Sequence, residues 1–203
     1  MSTNPTTELE AVNIMLNAIG ESPVSSLDDP SLVDVALAKS ILDETNIDIQ
    51  SKGTHFNTEI NYPLTADTDG NINVPANCVF IDAVGSSIDK DVVLRGTRLY
   101  DRKERTFTFD TTTTLYVNMT LIQAFDQIPQ YARRYVTVKA ARRFQARVMG
   151  SDTLFGFTQA DESEALVTYE QQESATEDNN VLNDSYSASR IIRRGVGRRN
   201  ERY

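Results

Sequence analysis

Residues 128–150 read IPQYARRYVTVKAARRFQARVMG, and how this stretch folds decides the architecture. Pro129 fixes φ where a helix begins, and Gly150 stands where a left-handed stop is usual. Between them Ala132, Val136, Ala140 and Phe144 recur at every fourth position, flanked by Tyr131, Tyr135 and Val138. That spacing predicts a helix with one apolar stripe turned to a core. Its other faces are basic: Arg133, Arg134, Lys139, Arg142, Arg143 and Arg147, with no acid between Gln127 and Ser151. Such a helix needs other helices against its stripe and anions against its cations.

Partners for the stripe lie on both sides. Upstream, Leu9, Val12, Leu16 and Ile19 mark an amphipathic helix over 7–19, capped by Thr6 or Thr7 and stopped at Gly20. Asp29-Pro30 predicts the start of a second helix carrying Val35, Ala38, Leu42 and Ile49 and closing at Lys52-Gly53. The short connection between the two predicts an antiparallel hairpin. Downstream, a fourth helix is expected from about Asp152, with weaker apolar periodicity. It is acidic where the third is basic, through Asp161, Glu162, Glu164, Glu170 and Glu173.

Between the helical segments the period changes. His55–Tyr62 is strand-like, and Asp67-Thr68-Asp69-Gly70-Asn71 is a strong turn signal. Extended stretches follow at Ile72–Val74, Val79–Val84, Val92–Tyr100, Thr106–Asp110 and Leu115–Ile122. Phe107 and Phe109 alternate with Thr106 and Thr108, the two-residue period of a half-buried strand. Five or six short strands are expected. The predicted fold is therefore α+β: a bundle of about four helices interrupted by a small antiparallel β domain. The segments are a helical hairpin (1–53), the β insertion (54–126), the C-terminal helices (127–180) and an extended basic tail (181–203).

Composition closes off several function classes. The 203 residues are 39% hydrophobic and 24% charged, which excludes collagen-like and wholly disordered chains. No apolar run approaches the roughly 18 residues of a membrane helix, and the first 20 residues show no leader pattern. Cys78 is the single cysteine, so an intramolecular disulfide and a cysteine zinc site are out. The single histidine, His55, must serve any histidine-dependent catalysis. A calcium loop starting at Asp67 would want a Glu at its twelfth position, where Cys78 stands, so a hairpin turn is the better reading.

The net charge of −9 hides strong segregation. Residues 1–94 hold 15 acids against 3 bases, and 95–150 hold 11 bases against 4 acids. Residues 151–182 hold 8 acids and no base, and the last 21 residues carry a net +4. Blocks of opposite sign suit a molecule whose basic segments meet acidic ones, within itself or on identical neighbours. The basic helix could neutralise phosphates instead. The adjoining all-acidic block favours protein contact. In the tail, Arg190, Arg193 and Arg194 lie among Tyr186, Ile191, Ile192 and Val196, as in an arm that orders on a partner.

The order of the pieces is specific. After the helical hairpin come Phe56-Asn57-Thr58-Glu59, then Asp69-Gly70-Asn71-Ile72 leading to Val74-Pro75, and Arg98-Leu99-Tyr100-Asp101-Arg102. Ile128-Pro129 then opens Tyr131-Ala132-Arg133-Arg134-Tyr135, and Ala140-Ala141-Arg142-Arg143-Phe144-Gln145 leads to Gly150-Ser151. Up to about residue 180 this resembles the tail tubular protein A family of T7-like short-tailed bacteriophages. The resemblance implies a structural virion protein without enzymatic activity or cofactor, assembled in the host bacterial cytoplasm and placed in the tail. It further implies a head-to-tail adaptor, a homo-oligomeric ring of twelve. One face would sit on the portal protein, and the other would receive the tail tubular protein B nozzle and the tail fibres. Genomic DNA would pass through the middle without specific binding, and no membrane is involved. Residues Arg133 to Arg147 are then expected to engage protein and not line the channel, and residues 183–203 to order against the portal.

Two other classes compete. A tail-associated hydrolase acting on cell wall or capsule would need facing carboxylates in the β insertion, with Glu59, Asp82 and Asp101 available. A DNA-binding module would use the third helix and the tail.

Overall fold

The computed structural model describes residues 5–28, 32–112, 114–150 and 152–176. Four α-helices and five strands account for most of them: α1 (Glu8–Ala18), α2 (Val33–Gln50), β1 (Thr58–Thr65), β2 (Cys78–Ala83), β3 (Val92–Arg95), β4 (Arg98–Asp101), β5 (Thr114–Leu121), α3 (Gln130–Met149) and α4 (Asp152–Thr176). The fold is α+β, helices interrupted by small antiparallel sheets. No helix among the described residues is long and apolar enough to cross a membrane.

Local chemistry sets the helix ends. Thr7 Oγ1 accepts from the Glu10 amide (3.2 Å), and the Glu10 carboxylate accepts from the Thr7 amide (3.0 Å), a reciprocal box at the start of α1. At the other end Gly20 takes φ +84°, and the amides of Gly20 and Glu21 donate to the carbonyls of Asn17 and Leu16. Pro129 immediately precedes α3, and Gly150 ends it at φ +56°. α2 departs from expectation. It begins at Val33 after Leu32, with no side-chain cap, and Asp29-Pro30 lies outside the described residues.

α3 is central and packs against α1, α2 and α4. Ala132, Val136, Ala140 and Phe144 are all fully buried. They join Ala11, Val12, Met15 and Leu16 of α1, Ile41, Leu42 and Ile49 of α2, and Ala165 and Tyr169 of α4 in one cluster. The buried side of α1 is wider than the expected stripe: Val12 and Leu16 are buried as expected, Ala11 and Met15 are buried as well, and Leu9 and Ile19 are half-buried.

A second hydrophobic cluster lies in the β region, around Ile72, Ile81, Leu99, Val117 and Met119. Its three-stranded sheet has the order β1-β5-β2, antiparallel throughout, and β3-β4 is a separate hairpin. Three expectations need correction. His55–Asn57 is a 3-10 turn, because Thr54 and Asn57 bond each other there, and extended structure starts at Thr58. The run Val92–Tyr100 is two strands, because Gly96 at φ +66° turns the chain. Thr106 and Thr108 make single bridges, to Asp101 and Asn71, and no strand.

The acidic turn is a turn. Asp67 Oδ1 accepts from the amides of Asp69 (3.0 Å) and Asn71 (2.8 Å), and Gly70 takes φ +81°. A Cβ on Gly70 would stand 2.6 Å from Thr108 Cγ2 and 3.0 Å from the Phe109 carbonyl oxygen. One on Gly20 would meet nothing within 4 Å. Gly70→Ala is therefore expected to cost about 2 kcal/mol and Gly20→Ala about 1 kcal/mol, since both strain φ but only the first also clashes. Urea unfolding of the two variants measures the difference.

Candidate assembly interface

The six cations of α3 divide by position around the helix. Arg133 reaches back under the bundle. Its guanidinium donates to the carbonyl oxygens of Ile128 (2.8 Å) and Thr6 (2.9 Å) and to that of Asp126, and its side chain is only 12% exposed. Arg143 pairs with Asp48 (2.7 Å) and Arg147 with Glu44 (3.0 Å), both on α2. Arg142 pairs with Glu162 on α4. The side chain of Lys139 is partly buried over the Tyr135 ring (5.5 Å), where burial and the cations Lys52 and Arg143 hold its ammonium below the usual lysine range. Arg134 is exposed and makes no ion pair among the described residues.

Four of the six are thus anchored inside the subunit. The contribution of α2 escaped the sequence reading, which set α3 against α4 or a neighbour. Its signal was present: Glu44 and Asp48 are four apart, as are Arg143 and Arg147, and two antiparallel helices match such rungs. Pairs this exposed contribute roughly 0–1 kcal/mol each. They orient the helices and leave little basic surface on this face. Arg190, Arg193 and Arg194 lie outside the described residues.

A polar cluster that the sequence did not disclose fastens α4. Glu173 is buried, accepting from the Tyr131 hydroxyl (2.7 Å) and the His55 amide (2.9 Å). Tyr135 and Tyr169 stack with centroids 5.1 Å apart beside it. The end of α4 is thereby tied to the start of α3 and to the point where the chain enters β1. Burial foremost, and then the Glu173 carboxylate, push the Tyr131 and Tyr169 hydroxyls well above the usual phenol range. A raised pKa means the folded state holds its proton more tightly than the unfolded chain. That stability is complete below the unfolded value of about 10 and is lost as pH climbs toward the folded value. Unfolding free energy is expected to fall above about pH 10, and Tyr131→Phe with Tyr169→Phe should flatten the fall. Denaturant titrations at stepped alkaline pH read it directly.

The acids suited to hydrolysis do not converge. Asp101 is buried and spent on a turn, accepting from the amides of Lys103 (2.8 Å) and Glu104 (2.9 Å). Glu59 stands opposite Met119 and Asp82 opposite Asn118, consecutive β5 residues on opposite faces of the sheet. The buried Cys78 thiol is pushed up by burial and is correspondingly unreactive.

The acids of α4 behave otherwise. Asp161, Glu164 and Glu170 are exposed and meet no base among the described residues. The subunit consequently presents an open acidic face while most of its basic helix is internally matched.

Comparison with known proteins gives this arrangement a setting. Residues 9–179 match the family model described as tail tubular protein. The chain is also similar to tail tubular protein A of Klebsiella phage KP34, 30% identical over 146 residues that cover 72% of this chain and 75% of that protein.

Proposed function

Because the chain belongs to the tail tubular protein family, and is a structural component of a phage tail, we propose that it is the head-to-tail adaptor of a short-tailed phage. Copies close into a ring, twelve by family resemblance, between the portal protein and a tubular nozzle that carries the fibres. The genome passes through the bore without being specifically bound.

The observation that carries this reading is the segregation of charge. A closed ring needs a heterologous interface, two different faces of one chain that fit each other. This subunit matches most of its α3 cations internally and leaves Asp161, Glu164 and Glu170 of α4 open among the described residues, so the same chain offers unlike faces to its two neighbours. Opposite faces guide encounter, and like faces discourage wrong pairing. An acidic surface turned to the bore also lets DNA slide, whereas a basic one holds it through counterion release.

Particles made without this polypeptide test the role. They are expected to lose their genome and to lack nozzle and fibres. Complete, infectious tails on such particles would end the proposal.

A further inference from the structure

The β3-β4 hairpin carries a basic and aromatic surface that no carboxylate among the described residues answers. The Arg95 guanidinium lies 3.6 Å over the Tyr100 ring, and that of Arg98 lies 4.7 Å over Phe107. The two rings meet edge to face with centroids 4.9 Å apart, so cation, ring, ring and cation form one ladder. Arg95 and Arg98 are direct cross-strand partners, both exposed. Arg98 donates to Asn71 Oδ1 (3.2 Å), and neither arginine meets a carboxylate among the described residues. Like charges placed directly across a hairpin repel, a cost that an anion between them would relieve. The rings hold each guanidinium in place while its in-plane donors stay available to a carboxylate.

We propose that this ladder docks on the Asp161 and Glu164 face of α4 in the adjacent copy of the chain. The spacing fits: cross-strand partners stand about 4.5–5.5 Å apart, and helix residues three apart about 5–6 Å. The ion pairs favour α4 over the C-terminal half of α2. On α2, Asp43, Glu44 and Asp48 are already matched by Lys39, Arg147 and Arg143 of the same chain. Among the described residues Asp161 and Glu164 meet no base, and Val167 beside them is 52% exposed, giving the contact an apolar centre. The inference rests on the ring reading and names the two faces that close it.

The test is a phage lacking its own copy of the gene and supplied with variants in trans, with copies per purified particle counted by quantitative mass spectrometry. Arg95→Glu with Arg98→Glu, and separately Asp161→Arg with Glu164→Arg, are expected to lower that count about tenfold, and combining all four to recover most of it. Unaltered thermal midpoints of the purified variants establish folding, and Arg95→Gln with Arg98→Gln serves if the reversal does not fold. Full copy number in either double variant, or no recovery in the combination, overturns the docking. Full copy number with defective genome retention or release in the arginine variant assigns the ladder to DNA and overturns it equally. A single copy of the unmodified chain per particle would instead refute the ring itself.

Discussion

Replacing Phe144 with alanine is expected to remove about 3–5 kcal/mol of stability, the range for truncating a large, fully buried aromatic. Phe144 has no exposed surface and sits on the helix that touches all three others. Its loss opens a cavity where α1, α2 and α4 share one core, and none of them can close it without leaving α3. With domain stabilities of about 5–15 kcal/mol, one such cavity takes much of the margin. Phe144→Leu keeps most of the volume and should cost about 1 kcal/mol. Guanidinium unfolding midpoints at constant slope measure both. A loss under 1 kcal/mol for the alanine variant would mean that the bundle does not depend on this core.

The second large effect is expected at Arg133, for a different reason. Its three carbonyl partners come from the segment before α1 and from the segment just before α3, so one planar fork ties the two segments together. Arg133→Met leaves those oxygens without a donor in a half-buried site, at a cost of about 2–4 kcal/mol. Arg133→Lys should recover less than half, because an ammonium cannot span the same acceptors. The nearby Asp126 carboxylate is 3.9 Å away and 59% exposed, so Asp126→Ala should change stability by less than about 0.5 kcal/mol. Equal losses at Arg133 and Asp126 would make the ion pair, and not the carbonyls, the working contact.

These two residues also mark what the sequence could disclose. Phe144 was legible because the i+4 stripe of α3 is unbroken and bounded by Pro129 and Gly150, two residues with single conformational roles. Thr7 and Gly20 bounded α1 in the same way. The stripe of α1 is wider than its spacing predicts: Val12 and Leu16 are buried as expected, and a helix wedged between neighbours also buries Ala11 and Met15. The seam of α4 was obscured by its own composition. Ala165, Tyr169 and Glu173 lie on its buried side, and a carboxylate there reads as solvent surface until Tyr131 and the His55 amide are seen to satisfy it.

In the β region, elements were legible and pairings were not. β1 pairs with β5 across more than forty intervening residues, and nothing local in Thr58–Thr65 names that partner. The run 92–100 hid its turn because Gly96 was the single cue within a β-rich stretch. Charge was legible in blocks and not in pairs. The basic run from Arg133 to Arg147 points to acidic partners, but Arg133 itself binds mainly main-chain oxygens.

Internal pairing on α3 and open faces elsewhere lead to one physical picture. Exposed ion pairs inside the subunit contribute little to its stability, yet they remove cations from circulation. Among the described residues, the acidic side of α4 and the arginine ladder of β3-β4 stay open, faces of opposite sign on different elements. On the proposed reading, a molecule so divided would add copies head to side.

Electron cryomicroscopy of the intact particle tests this most directly. The expected density is a closed collar of this polypeptide between portal and nozzle, its α3 cations turned into the subunit and not into the bore. A particle whose junction contains no such collar, or a collar whose bore is lined by Arg142, Arg143 and Arg147, would contradict it.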